Sequence, residues 1–167
     1  MEDPDGKKTD TMNSKKLKFV GFKLALRRFA IRVENIERVI AAVEIRSIPQ
    51  MPDHVKGIIN LHGEIIPVID IRAIFGLQKK EIELSDQFII VNTSARKQAL
   101  WVDSTEGITE VTASSMVEAE KLAYGTKYIE GVVKTKKGMI LVTNIEKFLS
   151  PGELALLETA INQKEAI

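Results

Sequence analysis

The chain has no cysteine among its 167 residues, which excludes disulfides and thiolate metal sites and is consistent with a reducing compartment. It has only two histidines, His54 and His62, and no H-E-x-x-H spacing, so the sequence predicts no protein metal site. G-x-S-x-G, G-x-x-x-x-G-K and G-x-G-x-x-G motifs are also missing. Because no catalytic constellation assembles, we predict a protein that is not an enzyme and uses no cofactor.

An excess of charge of one sign is lacking too. Lys and Arg number 24 and Asp and Glu number 23, a formal net charge of +1. A protein whose main partner is nucleic acid usually carries a clear basic excess and exposed stacking aromatics. With aromatic residues at 5%, the alternative of a nucleic-acid-binding small barrel is disfavoured. We predict no nucleic-acid partner.

Long apolar runs do not occur. No stretch approaches the roughly 18 uninterrupted apolar residues that a membrane-spanning helix needs. Residues 1–16 are polar and charge-balanced, so they predict a disordered tail rather than a secretion signal. The sequence therefore predicts a cytoplasmic protein.

The pattern that is present is apolar alternation, typical of strands, and it occurs twice along the chain. Residues 20–33 and 55–71 each predict a hairpin, the second turning at His62 and Gly63. Residues 88–103 and 128–145 repeat both hairpins, because Ala30 recurs as Ala99 and the spacing from Gly57 to Asp70 recurs from Gly131 to Asn144. This duplication predicts a mainly β fold of two similar barrels packed side by side, spanning roughly 17–77 and 88–149.

Helices are predicted to be few. Asp70 is a plausible N-cap for a short helix that Gly76 ends. Ser150 to Glu153 form a capping box with proline at the first helical position, which predicts a C-terminal helix over 150–167. Helical spacing between Val33 and Ile40 predicts one further short helix.

Strand parity suggests a binding groove. If Phe29 and Ile31 point into the first barrel, the duplication places Ala99 and Trp101 on the outer face of the second. A neighbouring barrel or the C-terminal helix could cover this tryptophan. The functional interpretation is an apolar groove between the barrels that accepts an amphipathic helix. Its floor is Ala99 and Trp101, and its walls are Ile36 and Ile108.

Several segments together resemble the CheW family, the coupling proteins of bacterial chemotaxis. The pattern G-x-x-N-L-x-G-x-x-x-P-V-x-D-x-R is highly specific for that family, and the similarity runs from about residue 18 to residue 160. The length is similar to that of CheW itself rather than of the multidomain kinase CheA, whose regulatory domain shares the fold. The segments are FKL at 22–24, FAIRV at 29–33, VKGIINLHG at 55–63, IIPVIDIR at 65–72, FGL at 75–77 and NIEKFL at 144–149.

The resemblance implies two SH3-like five-stranded β-barrels and a non-catalytic adaptor role. Members of the family link the cytoplasmic tips of methyl-accepting chemoreceptors to the regulatory domain of the histidine kinase CheA, and build rings with it. The protein would then reach membrane receptor arrays only indirectly, through receptors. An adaptor of a non-chemotaxis array, for pilus motility or gene regulation, is the alternative.

The resemblance also implies site residues. A receptor helix would lie against Ile36, Gly57, Gly63, Ala99 and Ile108, with Trp101 beside them, and kinase or ring contacts match Ile45 and Leu122. Two positions depart from the family pattern: Arg38 replaces a glutamate and His62 replaces the arginine thought to pair with it. Because losing both partners together costs less than losing one, we hypothesise a variant adaptor tuned to a divergent receptor or to a second signalling array.

Overall fold

Alternating apolar residues form most of the strands, and the computed structural model, which describes residues 15–119 and 127–165, contains eleven strands in those ranges. Of the predicted disordered tail, residues 1–14 lie outside the described residues, and Lys16 begins the first strand. No helix in the described ranges is long and apolar enough to cross a membrane. The elements are β1 (Lys16–Leu24), β2 (Arg27–Arg32), β3 (Ile36–Ala41), β4 (Val55–Leu61), β5 (Glu64–Asp70), α1 (Ile71–Ile74), β6 (Gln87–Asn92), β7 (Lys97–Val102), β8 (Ser104–Thr112), β9 (Met116–Glu118), β10 (Ile129–Thr135), β11 (Gly138–Thr143) and α2 (Pro151–Glu165).

The chain divides into two compact units, and each unit combines segments from both halves of the sequence. Unit 1 contains Met1–Glu34 and Thr105–Asn144, and unit 2 contains Asn35–Ser104 and Ile145–Ile167. The predicted barrels at 17–77 and 88–149 are therefore wrong in their boundaries. The cause is a parallel pairing of β2 with β11, which draws the first hairpin into a sheet with the last one.

Unit 1 is a six-stranded sheet in the order β8-β1-β2-β11-β10-β9. Its two edge strands, β8 and β9, are separated in the chain only by the 3-10 turn Ala113–Ser115, so the sheet must curve back on itself. Unit 1 has six strands where five were predicted, because the turn Ala113–Ser115 divides this part of the chain into two strands, β8 and β9. The buried core on one face consists of Phe19, Ala30, Val133, Ile140 and Val142.

Unit 2 is a five-stranded sheet in the order β3-β6-β7-β5-β4. Backbone hydrogen bonds of 2.9 Å in both directions between Arg46 and Ile58 join the segment after β3 to the far edge strand β4. The sheet therefore closes on itself as a small barrel. Its core consists of Ile59, Ile66, Val68, Phe88, Ile90, Ala99 and Trp101.

The two units repeat one pairing scheme, as the duplicated sequence pattern predicts. In unit 1, Ala30 of β2 pairs in parallel with Val142 of β11. In unit 2, Ala99 of β7 pairs in parallel with Val68 of β5. The hairpins β4–β5 and β10–β11 also share a register shift, which lies one residue before Gly57 and Gly131 respectively. Each hairpin ends in an equivalent backbone hydrogen bond of 2.8 Å: the N–H of Asp70 donates to the carbonyl of His54, and the N–H of Asn144 donates to the carbonyl of Tyr128.

The local turn and cap predictions are confirmed. His62 and Gly63 turn the β4–β5 hairpin with φ of 53° and 88°, the two positive values that a type I′ turn requires. Asp70 caps α1, since its Oδ1 accepts a hydrogen bond of 3.1 Å from the N–H of Arg72. Gly76 ends the turn with φ of 66°.

The C-terminal helix also begins as predicted. The N–H of Ser150 donates to Glu153 Oε1 at 2.8 Å, and the N–H of Glu153 donates to Ser150 Oγ at 3.1 Å. His54 Nε2 lies 3.1 Å from Glu153 Oε2, and Arg96 contacts Glu158 at 2.6 Å, so α2 is attached to unit 2 by polar contacts. The side chains of Leu157 and Ile161, both on α2, are buried.

The predicted short helix between Val33 and Ile40 is wrong. Only the 3-10 turn Val33–Asn35 is helical, and Ile36–Ala41 forms β3, paired antiparallel with β6. The β-branched residues Ile36, Val39 and Ile40 favour a strand, and the backbone partner supplied by β6 decides between the two periodicities.

Candidate interaction site

An exposed charged rim lies at one end of the unit 2 sheet, where β3, β5 and β7 begin. Lys97 Nζ hydrogen-bonds Glu37 at 2.9 Å and Glu64 at 3.2 Å, so it links the start of β3 to the start of β5. Arg38 Nε lies 4.0 Å from Glu37 Oε2. The hydrogen bond from Lys97 lowers the pKa of Glu37, and the bonds to Glu37 and Glu64 raise the pKa of Lys97. We call Glu37, Arg38, His62, Glu64 and Lys97 the rim.

The β4–β5 turn supplies the remaining part of the rim. His62 and Gly63 are both exposed, and the N–H of Gly63 is held by Asn60 Oδ1 at 2.8 Å. The two departures from the family pattern, Arg38 and His62, are therefore both solvent-facing residues at this end of the sheet. Since exposed ion pairs contribute little to stability, we expect changes at these two positions to have little effect on the fold.

The predicted groove floor is wrong, because Ala99 and Trp101 point into the core of unit 2. Their exposed fractions are 0% and 2%. The error came from the assumption that Phe29 and Ile31 point into the first barrel. Ala30 lies in the unit 1 core, so Phe29 and Ile31 occupy the other face of β2. Alternation defines two faces of a strand but does not say which one is inside, and both faces of β7 are buried.

Trp101 is held inside unit 2 by a buried polar network. Its Nε1–H donates to Asp86 Oδ2 at 2.9 Å, and the guanidinium of Arg72 lies 4.9 Å from its ring centroid. Asp86 also accepts hydrogen bonds from Lys80 Nζ at 2.6 Å and from the N–H of Glu83 at 2.8 Å. Burial opposes ionisation of Asp86, but these three donors outweigh it and lower its pKa. The network fastens the segment before β6 to the core.

Gly57 has a packing role that explains its identity. Its φ is 149°, and a Cβ there would overlap the carbonyl oxygen of Arg46 and approach the side chain of Ile45. Ile45, predicted as a kinase or ring contact, is half-buried against the unit 2 core. It lines a depression together with Lys56, Lys80, Glu81, Ile82 and Trp101.

The other predicted contacts are distributed between the two units. Ile36 is half-buried at the start of β3 in unit 2. Ile108 lies on β8 of unit 1 with 65% of its surface exposed. Leu122 lies outside the described residues. Of the predicted groove residues, Ile108 alone therefore belongs to unit 1. The others belong to unit 2: Ile36, Arg38, Gly57, His62, Gly63 and the buried Ala99 and Trp101.

Sequence reasoning missed the Glu37–Lys97–Glu64 network. The three charges are far apart in the chain, and only the parallel pairing of β5 with β7 brings Glu64 close to Lys97. In the described ranges, no group of three His, Cys, Asp or Glu side chains is placed to hold a metal ion. What the rim offers is a surface of alternating charge around a glycine turn, suited to contact with another macromolecule.

Comparison with known proteins extends over nearly the whole chain. A family profile described as the CheW-like domain matches residues 18–153. The chemotaxis protein CheW of Treponema pallidum (strain Nichols) is 28% identical over 152 residues, covering 87% of this chain and 89% of the relative. CheW of Thermotoga maritima is 28% identical over 135 residues, covering 81% and 89%. The crystal structure of the scaffolding protein TtCheW from Thermoanaerobacter tengcongensis is similar with a TM-score of 0.76 and 29% identity, covering 83% of this chain and 96% of that chain.

Proposed function

Because this chain belongs to the CheW-like domain family, we propose that it is a non-catalytic chemotaxis scaffold that couples the cytoplasmic tips of chemoreceptors to the histidine kinase CheA. The observation that carries the proposal is the match of the fold to a CheW scaffolding protein over 96% of that protein's length. In this role the protein is cytoplasmic and is recruited to membrane arrays through the receptors it binds.

The proposed receptor contact uses the exposed and half-exposed members of the predicted set. On unit 2 these are Ile36, Arg38, His62 and Gly63; on unit 1, Ile108 is proposed as a separate receptor-contact position. Ala99 and Trp101 are excluded because a partner cannot reach side chains with exposed fractions of 0% and 2%. For the kinase contact we propose Ile45, whose neighbour Ile82 leaves 43% of its surface exposed in the same depression. Leu122 stays a prediction.

The proposal is tested by capture with the tagged full-length chain from the cytoplasm of its own cells, followed by mass spectrometry. A CheA-type kinase and a chemoreceptor should both co-purify. Ile108→Asp should lose the receptor, since a charge placed in an apolar contact costs about 2 kcal/mol or more. The matched control is Leu84→Asp, because Leu84 is 99% exposed and lies outside the proposed contact. Absence of both partners, or equal loss with the control, contradicts the proposal.

The tuning hypothesis concerns Arg38 and His62, both exposed on the rim. The double replacement Arg38→Glu with His62→Arg restores the residues usual in the family. We expect it to weaken binding to the receptors of this protein and to strengthen binding to a conventional receptor tip, with the melting temperature unchanged. If both affinities stay the same, receptor choice does not depend on this pair.

A further inference from the structure

Two hairpin tips that are more than a hundred residues apart in the chain lie side by side at one end of unit 1. The parallel pairing of β2 with β11 sets Phe29 beside Leu141, so the same register brings Arg27 level with Met139. The β1–β2 turn at Leu26 and the β10–β11 turn at Lys136 and Lys137 therefore meet. From sequence alone, each turn reads as an isolated solvated loop.

Apolar side chains are unusually exposed at this end. Leu26 is 100% exposed, Met139 62% and Ile108 65%, and these are three of the four most exposed large apolar residues in the described ranges. A single exposed apolar residue is ordinary, but a cluster on adjacent elements marks a contact surface. The remaining one of these four, Leu84, belongs to unit 2 and provides a control position.

The same end carries a concentration of positive charge. Lys23, Arg27, Lys136 and Lys137 are exposed around the two tips. The nearby carboxylate, Glu106, is already engaged by Arg28, which donates to it at 3.1 Å and 2.6 Å. These bonds lower the pKa of Glu106, with smaller contributions from Lys23 and Lys137. The tips therefore keep a net positive field.

The balance of charge over the whole chain conceals this field. Unit 1 contains 14 of the 24 Lys and Arg residues and 10 of the 23 Asp and Glu residues, a formal charge of +4. Unit 2 contains the remaining 10 and 13, a formal charge of −3. A surface potential of one sign steers association with partners of the opposite sign.

We propose that the basic tip, formed by Leu26 and Met139 with Lys23, Arg27, Lys136 and Lys137, is a second docking surface that binds an acidic amphipathic helix of a protein partner. The apolar pair receives the apolar face of the helix, and the four cations pair with carboxylates along its edges. Charge complementarity selects this occupant, because the exposed cations outnumber the local carboxylates.

Two other anionic partners fit less well. A single-stranded nucleic acid would favour exposed aromatic side chains for stacking, and the six residues of the tip include none. An open depression beside the tips, which suits a discrete helix better than a flat bilayer, is lined by Lys23, Arg28, Lys137 and Ile108, and by Glu106, whose carboxylate is paired with Arg28. A concave site with cationic walls suits the carboxylate side chains of a folded helix.

The test uses the full chain and a pair of synthetic helical peptides of about 18 residues, a length at which an isolated helix begins to form. Both peptides have one Leu face; the polar face is Glu in one and Lys in its twin. Fluorescence anisotropy should show that the Glu peptide binds at least about tenfold more tightly than the Lys peptide, with an affinity that falls as salt rises.

Ile108 lines the depression beside the tips and is also a proposed receptor-contact position, so it is left unchanged and only residues outside that contact are varied. Lys136→Glu with Lys137→Glu should weaken the Glu peptide about tenfold or more, and Leu26→Ser should weaken it several-fold. The controls are Lys79→Glu with Lys147→Glu, which make the same change in net charge at exposed sites of unit 2, and Leu84→Ser. Neither control should change the affinity.

Three results would overturn the proposal. One is equal binding of the two peptides, or no binding of either. Another is an equal loss of affinity in the unit 2 controls, which would mean that only net charge matters. The third is binding to phosphatidylserine vesicles that depends on Leu26 and the lysines while the Glu peptide does not bind, because the occupant would then be a lipid surface.

Discussion

The two units share a strand order and a hydrogen-bonding register, yet they use their polar residues in opposite ways. Unit 2 buries three charged residues beside Trp101, namely Asp70, Arg72 and Asp86, each no more than 2% exposed, in addition to carrying its exposed rim. At the equivalent position in unit 1, 69 residues earlier, Arg32 replaces Trp101 and forms a part-exposed pair with Glu130. The repeat therefore preserves backbone pairing, while this position lies in a buried polar network in unit 2 and in a part-exposed ion pair in unit 1.

The largest contrast is expected at the two equivalent glycines. Gly57→Ala combines a φ of 149° with overlap on the backbone of Arg46, and should lower the free energy of unfolding by about 4 kcal/mol. Gly131→Ala brings a Cβ 2.8 Å from the carbonyl oxygen of Val117, and should cost about 2 kcal/mol. Urea denaturation followed by circular dichroism measures both. A larger loss for Gly131→Ala would reverse the proposed order.

The next contrast concerns the two arginines. Arg72→Met leaves Asp70 and Asp103 without their buried partner, and should cost about 3 kcal/mol. Arg32→Met removes a part-exposed pair with Glu130, and should cost about 1 kcal/mol or less. The free energies of unfolding and the fluorescence of Trp101 report the two changes. If both variants lose the same amount, burial of the network in unit 2 is not what stabilises it.

Dependence on pH should sharpen the comparison. The pKa of Asp86 is lower in the folded protein than its usual value, so its stabilising contribution is present at neutral pH and is lost as the pH falls through its folded pKa. Asp86→Asn should cost about 1–2 kcal/mol at pH 7, and its difference from the parent should shrink between about pH 5 and pH 2. Melting temperatures across that range test this, with Glu106→Gln of unit 1 as the more exposed comparison. A constant difference at every pH would contradict it.

The smallest effect is expected at the rim. Lys97 bridges Glu37 and Glu64 at the surface, where solvent and salt weaken ion pairs. Lys97→Met should leave the melting temperature unchanged within error, both in dilute buffer and in high salt. A clear destabilisation would show that the rim belongs to the structural framework of unit 2 rather than to its binding surface.

The features predicted correctly from the sequence are those determined by near neighbours. The His62–Gly63 turn, the Asp70 cap and the Ser150–Glu153 capping box each depend on residues within a few positions of one another. The duplication was also visible, because equal spacing between a glycine and a cap needs no knowledge of tertiary pairing. Features that depend on neighbouring residues or on spacing along the chain can therefore be predicted from the sequence alone.

The features predicted wrongly depend on distant partners. The grouping of strands failed because nothing near Phe29 indicates that it pairs with Leu141. The prediction of the groove floor was wrong because both faces of β7 are buried, as Ala99 and its neighbour Gln98 on the opposite face show. The helix predicted near Ile36 failed because an edge strand with few buried residues has no clean period of two. Only the paired backbone resolves such ambiguities.

The interleaved connectivity has a consequence for synthesis on the ribosome. All five strands of unit 2 are contiguous between residues 36 and 102, so that sheet can assemble while the rest of the chain is still being made. The first hairpin must instead wait for Thr143 before its sheet is complete. At about 5–20 residues per second, this leaves the β1–β2 hairpin without its neighbours β8 and β11 for several seconds. The β1–β2 hairpin is therefore among the last segments to reach its final partners, and no single cut through the chain can release either unit whole.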